Sequence, residues 1–164
     1  MGDALYDELL GGFSVVPAQV AGIRLVAAMV LGGIIGLERE HSRKPAGLRT
    51  HMLIAIAACL FTIVGQQLSE LPFGDVDQRR IDPLRLIEAV TAGVAFLAAG
   101  IIFTSGGKVQ NITTGASMWM AGAVGLACGA GQTLLAVLAT VIVVTIIAVL
   151  GAIERRIFDT EDRP

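Results

Sequence analysis

The sequence predicts an all-α fold, a polytopic membrane helix bundle of about five transmembrane helices, with the N-terminus outside and the C-terminus cytoplasmic. Three observations predict it. Of 164 residues, 54% are hydrophobic and only 16% charged, with a mean hydropathy of +0.75. A soluble chain carries about a quarter charged residues. The apolar residues form uninterrupted stretches, each near the roughly 20 residues that a bilayer core requires. Lys and Arg gather at alternate ends of those stretches, as cytoplasmic loops do.

The stretches run over about residues 18–37, 50–68, 84–104, 113–129 and 133–153. The first is read as a retained anchor, because residues 1–17 carry Asp3, Asp7 and Glu8 but no Lys or Arg, unlike a signal peptide. Asp82 is a natural N-cap for the third, and Pro83 suits its first helical position. The fourth is short and rich in glycine. Gly129 to Gln132 must join it very tightly to the fifth, so the two are read as separate spans, a buried hairpin or one broken helix. Arg39, Arg43, Lys44, Arg49, Lys108, Arg155, Arg156 and Arg163 fall on one side of a five-span chain. Arg79, Arg80 and Arg85 fall on the other, diluted by Glu70, Asp75, Asp77 and Asp82. The organisation that follows is a short extracytoplasmic segment at 1–17, a transmembrane domain at 18–153 and a cytoplasmic tail at 154–164.

A net charge of -2 and a pI near 5.6 offer no basic field for nucleic acid. The chain contains no G-x-S-x-G, H-E-x-x-H or phosphate-loop sequence, so no enzyme is expected. Cys59 and Cys128 lie inside apolar stretches and read as small packing residues. His41 and His51 lack a companion at metal-ligand spacing. Small-xxx-small pairs recur at Gly32/Gly36, Ala89/Gly93, Ala95/Ala99, Ala121/Gly125 and Gly125/Gly129, and predict close helix packing, within the bundle or in a homodimer. Trp119, mid-span, is expected in a packed interior or a cavity wall.

Three polar clusters are candidate sites. In the first loop, Glu38 and Glu40 stand at a helix C-terminus and Arg49 at a helix N-terminus, both against the macrodipole, with Arg39 and Thr50 beside them. A Glu38–Arg49 pair would clamp the hairpin. The alternative is a ligand or partner, the acids receiving a cation, or Arg49, Lys44 and free N–H groups receiving an anion or lipid headgroup. The second cluster, Asp82, Arg85 and Glu88, opens the third span and sets Glu88 roughly 9 Å inside it. An acid at that depth is a functional candidate, for cation or proton handling or for neutralisation by Arg85 or Arg24. The third, Asn111, Thr113, Thr114 and Ser117, offers helix caps, and with the first loop it would line one cytoplasmic vestibule. Gly33-Ile34-Ile35 and Gly100-Ile101-Ile102, each followed by a polar turn, form a short internal echo of two hairpins running the same way.

The run Gly32-Gly33-Ile34-Ile35-Gly36-Leu37-Glu38-Arg39-Glu40, followed by Lys44-Pro45-Ala46-Gly47-Leu48-Arg49-Thr50-His51, closely resembles the MgtC/SapB family of bacterial inner-membrane proteins. Asp82-Pro83-Leu84-Arg85, Phe96-Leu97-Ala98-Ala99-Gly100, and Ile112-Thr113-Thr114-Gly115-Ala116-Ser117 with Trp119 resemble that family's later motifs in the same order. The resemblance covers about residues 18–150. Ala98, Gly115, Ala95 and Ala89 depart from the family's residues, Ala89 standing where many members have glutamine. Longer members add a soluble C-terminal domain. The resemblance implies a multi-pass inner-membrane protein of magnesium homeostasis, with Mg²⁺ as the ion concerned. The expected role is an ion permease in which Glu88 and the polar vestibule handle Mg²⁺ or another cation; the alternative is a non-transporting regulatory subunit that binds a membrane-protein partner.

Overall fold

Among the described residues, polar turns cut the apolar chain into five helices. In the computed structural model, which describes residues 15–69 and 83–158, α1 is Ala18–His41, α2 Leu48–Ser69, α3 Pro83–Ile101, α4 Ile112–Gly129 and α5 Thr133–Phe158. A two-stranded antiparallel hairpin, β1 Phe103–Ser105 and β2 Lys108–Gln110, joins α3 to α4. The segment 1–14, the loop 70–82 with its Asp82 cap, and the tail 159–164 lie outside the described residues.

The all-α bundle is the expected fold, but one of its helices differs in kind. Among the described residues, four helices are long and apolar enough to cross a membrane by length and composition, and α4 is not one of them. Its position explains why. Ten of its eighteen residues are buried, and it touches α1, α2, α3 and α5. On the buried side of a helix so largely covered by protein, Thr, Ser and Gly are tolerated where lipid would select Leu, while Ile112 and Trp119 stay exposed.

Helices α2 and α4 run parallel at very close range. A Cβ on Gly129 would fall 2.6 Å from Thr62 Cβ and 2.7 Å from the Cys59 carbonyl oxygen, and one on Gly125 would overlap the Ala55 carbonyl. α1 closes antiparallel on the same seam: a Cβ on Gly32 would fall 2.6 Å from Ala55 Cβ, and one on Gly36 2.8 Å from Leu48 Cα. Ile35, Ala55, Cys59, Val124 and Cys128 fill the centre. The pairs Gly32/Gly36, Ala121/Gly125 and Gly125/Gly129 are thus spent inside the molecule. Ala89 and Gly93 face a cleft between α2 and α3, and Ala95 and Ala99 face outward.

Several boundaries move from their expected places. α1 runs past residue 37 to His41, and its end is a Schellman motif: Lys44 N–H donates to Arg39 O and Arg43 N–H to Glu40 O, each 3.0 Å. Arg43 takes the left-handed position, φ 52°, that glycine usually fills. α4 ends the same way, with Gly131 at φ 79° and Gln132 N–H donating to Ala127 O at 2.8 Å. The third span stops at Ile101 rather than 104, because Phe103–Ser105 pairs with Lys108–Gln110 instead. Trp119 is neither packed inside nor a wall of a described cavity; it is 48% exposed on the outer side of α4. The two hairpins of the internal echo, α1–α2 and α3–α4, do run the same way, with unlike connections.

Candidate functional site

The chain's densest polar stretch folds against α4 at the end of the bundle where α1 meets α2. Glu38 is the anchor. Its Oε2 accepts from Arg39, and its Oε1 accepts from Ser42 Oγ at 2.9 Å, so both carboxylate oxygens are engaged. Arg39, 3% exposed, lies beneath the turn. A guanidinium at that depth is tolerable because a carboxylate meets it. Glu40 reaches across the turn, and its Oε2 accepts the Leu48 N–H at 3.0 Å. A negative charge standing unfavourably at the end of α1 therefore lies favourably at the start of α2. The same oxygen occupies the space a Cβ on residue 47 would need, so a larger residue there would displace the Glu40 carboxylate.

This corrects the expected clamp. Glu38 pairs with its neighbour Arg39, not with Arg49, and the hairpin is tied by Glu40 to the backbone of Leu48. Arg49 is exposed, as are Arg43 and Lys44, while Thr50 is half-buried.

The link to α4 is His51, fully buried. Its Nδ1 lies 2.8 Å from Gly47 O, and its Nε2 3.0 Å from Ser117 Oγ. A carbonyl only accepts, so Nδ1 carries a proton. Ser117 Oγ also lies 2.8 Å from Thr114 O. Of the expected vestibule, the contact shown is this one between His51 and the Ser117 hydroxyl, a buried hydrogen-bonded seam that includes none of the first loop's charges. Thr114 and Ser117 belong to it and Thr113 is exposed. Asn111 is the N-cap residue of α4 at φ 64°, yet its side chain makes no cap; its Nδ2 donates to Ile101 O at 3.1 Å and closes the base of the β-hairpin.

At the opposite end Arg24 faces α4, not α3. Its Nη1 donates to Gly129 O at 2.9 Å and to Gln66 Oε1 at 3.3 Å, and Gln66 Nε2 donates to the same Gly129 carbonyl at 3.2 Å. A cation on the carbonyl end of a helix is well placed for the macrodipole. That contact accounts for an arginine inside a span. The network of Arg24 with Arg85 and Glu88 does not form among the described residues; Arg85 and Glu88 are exposed on α3.

Among the described residues no three His, Cys, Asp or Glu side chains gather as a metal would require. Glu88 is the sole carboxylate well inside a described apolar span. A cavity of 730 Å³ opens between α2 and α3, lined by apolar groups such as Leu53, Phe61, Leu86 and Leu97.

Sequence reasoning missed Gln66, the role of His51 and the hydrogen bond by which Glu40 ties the turn to Leu48. The signal for His51 was present: a polar ring one turn inside an apolar span must find a buried partner.

The MgtC family model matches residues 25–156. Protein MgtC of Brucella abortus is 40% identical over 126 residues, 77% of this chain and 49% of that protein. An uncharacterized protein of Haemophilus influenzae is 39% identical over 133 residues, 80% of this chain and 56% of that one. A protein of Escherichia coli named putative magnesium transporter YhiD is 35% identical over 140 residues, 84% of this chain and 63% of its own. The chain therefore spans about half of these curated relatives' length, or somewhat more. No solved structure matches. Its matched segment takes in all of the α1–α2 polar turn and the α4 seam, and the chain belongs to the MgtC family.

Proposed function

We propose that the chain serves magnesium homeostasis in the bacterial inner membrane as a regulatory subunit that does not itself carry ions. Magnesium enters this reading through the family and through the name of the Escherichia coli relative. The observation that carries the regulatory role is the closed seam of α1, α2 and α4, where backbones touch at Gly32, Gly36, Gly125 and Gly129. Mg²⁺ keeps several waters and prefers more than one carboxylate. A seam closed at backbone contact has no room for a hydrated ion, and Glu88 stands on the outer side of α3. What the fold offers a partner is the exposed set Arg43, Lys44 and Arg49, held by the Glu38 and Glu40 contacts on the side that the Lys and Arg bias assigns to the cytoplasm. Such a surface suits an acidic loop of another membrane protein.

The permease reading retains one observation, the in-span acid Glu88. Mg²⁺ entry into liposomes holding the purified, folded protein separates the two. The regulatory reading expects no flux above empty liposomes, and growth under magnesium limitation that fails with Arg49→Glu while the protein still folds and inserts. Flux that disappears in Glu88→Gln would overturn it.

A further inference from the structure

Helices α5 and α3 are the least enclosed of the candidate spans, with 11% and 17% of their most apolar windows buried. Both are apolar, but only α3 carries charges within its apolar window. α5 has a mean hydropathy of 3.0, as a helix facing lipid should, whereas α3 has 1.7, the lowest of the four. A helix so little covered by its own chain that carries both Arg85 and Glu88 in its apolar window calls for a protein neighbour.

The geometry of α3 locates the uncovered side. Val90, Val94 and Ala98, four residues apart, form its buried stripe, with Val94 against Gly122 and Ala98 against Gly115 of α4. On the opposite side, at helical spacing, lie Arg85, Glu88, Ala92, Ala95 and Ala99, all exposed. Glu88 is about 7.5 Å from the start of the helix at 1.5 Å per residue. Neither Arg85 nor Glu88 makes a side-chain hydrogen bond or ion pair among the described residues, and they do not pair with each other. An acid facing hydrocarbon is costly, and residues with so little side chain lose contact with lipid.

We propose that this face of α3 is covered by the same face of a second copy, about a two-fold axis along the membrane normal. The charges select that occupant. Arg85 and Glu88 are three residues apart on one face, so two parallel α3 helices meeting there bring each copy's Arg85 beside the other copy's Glu88. A two-fold contact needs a patch that complements itself, and one cation beside one anion does so. Ala92, Ala95 and Ala99 then let the two backbones approach along the rest of the helix. The contact does not depend on whether ions cross the protein.

The test is cysteine crosslinking of the full chain in native membranes, with an oxidant that joins thiols at the interface. Cys59 and Cys128 are fully buried and stay in place. Ala92→Cys and Ala99→Cys are expected to give a dimer band, and Ile142→Cys on the exposed side of α5 at least fivefold less. Arg85→Glu or Glu88→Arg alone should reduce the position-92 band at least fivefold, and the two together should restore it. Equal crosslinking at 92 and 142, adducts at 92 with the mass of another protein, or a double variant as weak as the singles overturns the proposal. Because the cysteine pattern is read without any charge change, a charge variant that fails to fold leaves the result decisive.

Discussion

Gly125→Ala adds one methyl group at the tightest point of the bundle. That Cβ would stand 2.8 Å from both the Cα and the carbonyl carbon of Ala55, and closer still to its oxygen. Ordinary contact begins at 3.4 Å, so α2 and α4 must part by at least 0.6 Å, the difference of the two distances. The obstructing atoms are backbone and cannot rotate away. A gap of about 0.5–1 Å forfeits a quarter to a half of each contact's dispersion energy, and overpacking of this kind costs up to about 3 kcal/mol. Alanine returns about 1 kcal/mol of helix propensity. The net expectation is a loss of about 2 kcal/mol. Gly22→Ala supplies the comparison, because a Cβ there meets nothing within 4 Å and should gain helix propensity without cost. Thermal unfolding in detergent, followed by the emission of the single tryptophan, Trp119, reads both. A Gly125→Ala protein as stable as Gly22→Ala would refute the backbone contact and with it the closed seam.

The turn after α1 and the buried seam give two further expectations. Arg43→Gly should raise stability by about 1 kcal/mol in the same melt, because it relieves a left-handed arginine at φ 52°; an unchanged midpoint would mean that the Schellman turn is not formed. Ser117→Ala should cost about 1 kcal/mol, and His51→Ala about 3 through the cavity and the lost hydrogen bonds. A double-mutant cycle that shows no coupling between these sites would sever the link between the first loop and α4.

The places where the sequence was readable and where it was not divide along physical lines. Apolar length and flanking cations locate helices because they answer to local composition, which is why all five fall within a few residues of their expected bounds. Which small-residue pairs face inward depends on rotation about each helix axis. Gly125/Gly129 and Ala95/Ala99 look alike in the sequence, and one is buried while the other is exposed. The hairpin at 103–110 was legible in principle. Gly106-Gly107 between two short polar-apolar alternations is a two-residue turn signal, and both glycines adopt the positive φ it needs; the preceding apolar run hid it. The clamp was misassigned because pairing charges by sign overlooks a backbone N–H as an acceptor's partner. Glu40 chose Leu48 N–H, and Arg24 chose the carbonyl of Gly129. His51 and Ser117, 66 positions apart, meet only because α2 and α4 lie side by side.

The enclosure of α4 also bears on how the protein is made. Ten of its eighteen residues, among them Thr114, Ser117, Gly115, Gly122, Gly125 and Gly129, are buried, so its packing depends on helices distant in the chain. Its partners α1, α2 and α3 precede it in the chain, and α5 follows across the Gly131 turn. Synthesis order thus lays down three walls of the chamber before its occupant arrives. The fifth and most apolar helix then packs against it as the last element. A chain ended after α4 would leave the α5 side of that helix uncovered.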